Sequence, residues 1–165
     1  MDDCIFCKIV KGEIPSVKVY EDEDVLAFLD ISQTTKGHTL VIPKAHYQNF
    51  LATPKKLMHL VYDVAQRIGQ AQISVLGAKG VNILTNVNKE AGQSVFHFHV
   101  HVIPRYISDE NFQITMKDHH VDLDSLPALA DNLKKEIIWL FIRFIKTSII
   151  KGEYLLSVFA FICYF

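Results

Sequence analysis

Residues 93 to 106 read QSVFHFHVHVIPRY, with histidine at every second position from His97 to His101. That alternation constrains the fold more than any other stretch of the chain. A period of two belongs to an extended strand, whose side chains point to opposite faces in turn. His97, His99 and His101 therefore share one face, and Phe96, Phe98, Val100 and Val102 share the other. The apolar set belongs on a core, beneath a helix. The histidines then line the opposite face of the sheet, roughly 6 to 7 Å apart at the backbone. That spacing suits three separate duties along a groove.

The rest of the chain supplies a sheet and a helix. VKVYEDEDVLAFLD (17–30) has apolar runs on either side of the acidic cluster Glu21 to Asp24, the pattern of a hairpin. HTLVIP (38–43) predicts a third strand, ended by Pro43. Thr53 is placed to cap a helix, with Pro54 at its first position. Leu57, Leu60, Val61, Val64, Ala65 and Ile68 then recur at helical spacing, and Gly77 or Gly80 marks the end. VNILTN (81–86) predicts a fourth strand, VNKEAGQ a turn, and the histidine segment the fifth strand. Hairpin-length links join the first two strands and the last two, which makes the sheet antiparallel with the helix on one face. The fold class expected is α+β, with residues 125–150 as a second, C-terminal helix capped by Asp124 or Ser125.

A chain of 165 residues has the length of one domain. The formal net charge of -1 and the lack of a basic run argue against nucleic acid as a partner. The acidic start, MDDCIFCKIVKGEIP, has no secretory signal pattern. Three cysteines, two of them as Cys4-x-x-Cys7, do not suit a disulfide framework, so a cytoplasmic setting is expected. From Ile137 the character changes. IIWLFIRFIKTSII and YLLSVFAFICYF are apolar nearly all round, but Arg143, Lys146, Lys151 and Glu153 break them short of a membrane span. The expected division is residues 1–136 as the domain and 137–165 as an atypical hydrophobic tail. That tail fits a helix docked on the body, a partner-binding or interfacial segment, or a foreign C-terminus; a transmembrane anchor ranks last, and membrane contact by the tail is not the expectation.

The residues alone leave the histidines three readings: a polar strand face, a catalytic metal site in which all three are ligands, or a nucleophilic imidazole with supporting groups. The cysteine pair likewise reads as two buried thiols or half of a tetrahedral metal site.

HFHVHVI matches the His-φ-His-φ-His-φ-φ signature (φ, apolar) of the histidine triad family. AGQSVFHFHVHVIPRY resembles its extended form, and LAFLDI (26–31) and GHTLVIPKAH (37–46) resemble the other signature segments in the right order. The resemblance covers roughly residues 4 to 106. It implies a HIT-like fold: an antiparallel five-stranded sheet with a long helix packed on it, in a homodimer whose sheets join edge to edge. It implies binding of purine nucleotides or their conjugates and attack on the α-phosphate, as in phosphoramidases or dinucleoside polyphosphate hydrolases.

Position by position, the resemblance makes His99 the nucleophile and gives His101 the phosphate. Ser94 and Gln93 fall near the scissile bond, and Gly92, Gln93 and Ser94 hold the phosphate. Asp30 and Ile31 match the segment that meets ribose and base. Asn86 matches a nucleotide-contacting position where the polyphosphate-hydrolase branch usually has Gln, which favours the phosphoramidase-like branch. Relatives with the cysteine pair resemble this chain in a structural zinc site, whose ligands here are Cys4, Cys7, His46 and His97. His38, His59, His119 and His120 fit no such pattern and are expected at the surface. Two alternatives accompany the enzyme: a nucleotide-binding scaffold with little catalysis, and a metal-dependent hydrolase.

Overall fold

The computed structural model describes residues 3–107 and 122–150, with side chains to residue 147. The chain divides into two compact units, Met1–Ile114 and Thr115–Phe165. The predicted positions of His119 and His120 lie outside the described residues.

In the first unit, a short helix α1 (Ile5–Val10) precedes strands β1 (Lys18–Glu21), β2 (Val25–Leu29) and β3 (Thr39–Pro43). Helix α2 (Lys55–Leu76) follows, then β4 (Gly80–Leu84) and β5 (Val100–Arg105). The five strands form one sheet in the order β1-β2-β3-β5-β4, antiparallel at every pairing. The β1–β2 turn is held by Asp22, whose Oδ1 accepts from the amides of Asp24 at 2.9 Å and Val25 at 2.7 Å.

Strand alternation gives the sheet two apolar faces. On one, Val25, Ala27, Val41, Phe98, Val100 and Val102 pack against Val61, Val64, Ala65 and Ile68 of α2. Full burial of a side chain of that size contributes about 1.5–3 kcal/mol, so this layer is the main core. On the other, Leu26, Phe28, Leu40 and Ile42 pack against Phe6 and Ile9 of α1. His101 alternates with Val100 and Val102, so it projects to the α1 side. It stands opposite Leu40 of β3 and Leu84 of β4, inside the ladder.

Several local expectations are corrected. Thr53 does not cap α2: it closes a preceding 3-10 turn and its hydroxyl donates to the Asn49 carbonyl at 2.9 Å. Pro54 holds the N-cap position rather than the first helical one. The helix ends as predicted, with Gly77 left-handed at φ 71. The link from β4 to β5 is much longer than a hairpin and contains a 3-10 turn, Lys89–Ala91. β5 begins at Val100, not near residue 93. Ahead of it the backbone is tied elsewhere: the Phe98 amide donates to the Tyr47 carbonyl at 2.6 Å. Phe96, in that lead-in, is 47% exposed instead of sharing the core face.

The second unit contains a 3-10 turn, Leu123–Ser125, and helix α3, Leu126–Ile150. Ile137, Ile138, Trp139 and Leu140 are exposed on it. Arg143 lies over the Trp139 ring, 5.3 Å from its centroid. No helix among the described residues is long and apolar enough to cross a membrane.

Candidate functional site

The α1 face of the sheet holds two adjacent polar clusters. The first joins three distant pieces of chain. Cys4 and Cys7 come from the start of α1, His46 from the loop after β3, and His97 from the lead-in to β5. Cys4 Sγ lies 3.5 Å from His97 Nδ1. Cys7 Sγ lies 3.3 Å from His46 Nδ1 and 3.6 Å from His97 Nδ1. The two Nδ1 atoms are 3.2 Å apart. A tetrahedral zinc with bonds of about 2.3 Å to sulfur and about 2.0 Å to nitrogen has nitrogen–nitrogen and nitrogen–sulfur edges of about 3.3–3.5 Å. The donor set and its spacing therefore fit a closed four-ligand metal site.

Hydrogen bonding prepares His97 for that duty. Its Nε2 donates to the Pro43 carbonyl at 2.9 Å, which leaves the Nδ1 lone pair facing the cysteines. Burial pushes its pKa down to about 4, so the ring is neutral near pH 7. Burial, with Cys4 alongside, pushes the Cys7 thiol up. Metal binding here would release that proton.

The second cluster begins two residues on. His99 is 4% exposed, and its Nδ1 donates to the His97 carbonyl at 2.7 Å. In the neutral ring Nε2 is then the unprotonated, nucleophilic nitrogen. Burial lowers its pKa. Thr85 Oγ1 donates to the His99 carbonyl at 2.8 Å, fixing the backbone that carries it. The His101 ring lies 4.9 Å away by centroids.

His101 Nδ1 is 3.0 Å from Nε2 of His38, and the two rings stack. His38 Nδ1 is in turn 3.5 Å from Asp30 Oδ2. Asp30, His38 and His101 also bring their ligand atoms together, but the hydrogen bond between the two rings already accounts for that approach. His38 is 3% exposed, which corrects its assignment to the surface. A signal for it exists in the sequence. His38, Leu40 and Ile42 alternate along HTLVIP, and the latter two face α1. Gln33 clamps the approach to this strand, donating to the carbonyls of Asp30 at 2.6 Å and His38 at 2.8 Å.

Among the described residues, the three triad histidines do not share one donor cluster. His97 belongs with the cysteines and His101 with Asp30 and His38. The alternative of a metal held by all three has no geometric support.

The remaining predicted residues lie on two loops. Ile31 is 98% exposed beside Asp30, as an apolar surface for a ligand would be. Gly92 is left-handed at φ 85, and Ser94 is exposed. Asn86 Nδ2 reaches the Gly92 carbonyl at 3.4 Å. Gln93 is buried, and its amide is fully engaged. It donates to the carbonyls of Gln48 at 2.7 Å and Val95 at 3.0 Å and accepts from the Asn88 amide at 2.9 Å. Its visible contribution is to hold the loop that presents Gly92 and Ser94.

The model of the HIT domain family matches residues 11–107. The chain belongs to the HIT family. A Streptococcus mutans protein of known structure is 52% identical to this HIT protein, covering 83% of the chain and 87% of its own, with a TM-score of 0.78. A crystal structure described as a Zn-bound histidine triad family protein, from Mycobacterium smegmatis, is 44% identical, covers 71% of this chain and 85% of its own, and has a TM-score of 0.64. An adenylylsulfatase of Arabidopsis thaliana is 40% identical over 104 residues, which are 63% of this HIT chain and 53% of that protein. The expected HIT fold, with its five-stranded antiparallel sheet and long packed helix, is the one observed.

Proposed function

We propose that this HIT protein is a hydrolase or transferase that cleaves the α-phosphate linkage of purine nucleotide conjugates through a nucleotidyl-histidine intermediate. One observation carries the reading: the buried His99 ring has its proton fixed on Nδ1 by the His97 carbonyl, so Nε2 is the free nucleophile. In the first step the Nε2–phosphorus bond forms and the bond to the leaving group breaks. The leaving group departs with its electron pair and takes a proton from solvent. In the second step water attacks phosphorus, its proton passes to solvent, and the electron pair of the N–P bond returns to Nε2, which restores His99. His101 lies beside His99 and is the group for the non-bridging phosphate oxygens. Asp30 and Ile31 flank the side where ribose and base would lie, Gly92 and Ser94 the phosphate side, with Asn86 and Gln93 supporting that loop.

The adenylylsulfatase relative favours adenylyl conjugates as the substrate class. Cys4, Cys7, His46 and His97 would hold zinc, in keeping with the Zn-bound relative. With four protein ligands that zinc is structural, tying the N-terminus to the lead-in of β5. Homodimerisation through a sheet edge completes the reading.

The test is hydrolysis of an adenosine phosphoramidate by wild type and His99→Ala, with intact-mass spectrometry of quenched reactions. Turnover and a covalent adenylyl adduct are expected for wild type, and loss of both for the variant. Unchanged turnover in His99→Ala would overturn the proposal. Tight nucleotide binding without turnover in wild type would identify a scaffold instead.

A further inference from the structure

Phe6 sits between the two cysteines, and its ring reaches into the second cluster. It meets Phe28 at 5.7 Å, His97 at 5.9 Å and His99 at 5.3 Å between centroids, each edge to face. It is 6% exposed. The helix carrying it has six residues and buries only Phe6 and Ile9. So short a helix is unstable by itself. Its place on the sheet rests on those two side chains, on the partly buried Val10 and on the Cys–His cluster at its start.

The His99 ring needs a wall. Its hydrogen bond to the His97 carbonyl restrains the ring torsion, which is broad in histidine, but one hydrogen bond tolerates a range of angles and so leaves the plane some swing. The His101 ring bounds one side at 4.9 Å and an interplanar angle of 71°. Phe6 meets the same ring at 5.3 Å and 83°. Small errors in the direction of an attacking atom reduce rate steeply, because in-line displacement depends on alignment.

We infer that Phe6 is a positioning residue through which the Cys4–Cys7–His46–His97 site, once it holds its metal, orients the His99 imidazole. The inference rests on His99 as the reacting group but concerns a coupling that can be read without catalysis. Two routes lead from the metal cluster to His99. One is the main-chain carbonyl of His97; the other is the Phe6 ring. Only the second is removed by truncating Phe6.

The experiment uses the full chain with labelled histidine, zinc-loaded and chelator-stripped, as wild type, Phe6→Leu and Phe6→Ala. Ring 15N and 13C resonances of His99 are read by NMR, zinc by atomic absorption, and kcat and KM on adenosine phosphoramidate. In wild type, chelation is expected to shift and broaden the His99 resonances. Loaded Phe6→Ala is expected to keep its zinc, show those altered resonances already, and change little on chelation. Its kcat should fall about tenfold with KM nearly unchanged. Phe6→Leu should lie between the two, and it decides the matter if Phe6→Ala does not fold. Three results would each overturn the inference: wild-type His99 resonances in the loaded variants, an equal response to chelation with and without Phe6, or a rise in KM at constant kcat. The second would assign the coupling to the His97 carbonyl, the third would make Phe6 a ligand contact. If His99→Ala left turnover intact, the functional reading would fail while the resonance coupling remained measurable.

Discussion

His38 and His101 place two imidazoles nitrogen to nitrogen at 3.0 Å, so one proton lies between them. Protonating both rings would set two positive charges side by side in a buried place, which burial opposes. Both pKa values are accordingly depressed by burial first, His101 to about 4. Asp30, 3.5 Å from His38 Nδ1, favours the proton on that nitrogen. His38 Nε2 then accepts from His101 Nδ1, and in the proposed reaction His101 Nε2 has to take up a second proton, favoured by the anionic phosphate, before it can donate to a non-bridging oxygen. Replacing His38 with Ala frees the His101 ring to choose its tautomer. The expected result is a kcat lower by about 100-fold, the low end of what a positioned acid–base group contributes, with KM little changed. Steady-state kinetics of His38→Ala and His38→Asn check it, and an undiminished kcat in both would count against the chain.

At the scale of elements, α1 matters beyond its length because the Cys–His cluster pins it. Metal that binds only the folded chain stabilises it by mass action, about 4 kcal/mol at a thousandfold excess over Kd. Cys7→Ser, or chelation of wild type, is expected to remove that contribution, seen as a lower urea midpoint with an unchanged slope. Equal midpoints with and without chelator would place the metal outside the folding equilibrium. What the sequence disclosed follows the same division. The first hairpin, β3 and α2 announced themselves because each is a single run with its own turn or glycine stop. The alternating segment runs longer than the paired strand β5, because alternation reports which way side chains face, not whether the backbone is paired. Phe98 keeps the rhythm while its amide bonds to Tyr47. The helix α1 carries too few residues to show a period. His46 and His97, 51 residues apart, meet only through the sheet, so family resemblance rather than spacing named them together. His38 alternates with Leu40 and Ile42, which marks its face, but its partner His101 lies 63 residues away and meets it only through the sheet.

For the whole molecule, the α3 residues from Ile137 to Leu140 are exposed, and every named site residue precedes residue 107. Ending the chain after Glu136 is therefore expected to leave kcat/KM within about twofold, since no described site side chain is removed. Acid should act on the molecule through its histidines. His101 has a folded pKa of about 4, and burial depresses those of His38 and His99 as well. An unfolded histidine titrates near about 6.5. Below that value the unfolded chain binds protons that the folded chain refuses. Stability is fully present above pH about 6.5 and is lost as pH falls toward about 4, at up to about 1.4 kcal/mol per pH unit for each such ring. Glu21 and Asp22 cannot produce this, because their folded pKa values are lowered from 4.5 and 3.8 and they lose their share only in stronger acid. Urea titrations of chelated protein between pH 8 and pH 5 should show midpoints falling below pH about 6.5, with a shallower fall in His101→Asn. A flat profile would mean that these rings take up protons as readily folded as unfolded, and the neutral Nε2 on which the proposed chemistry depends would lose its basis in burial.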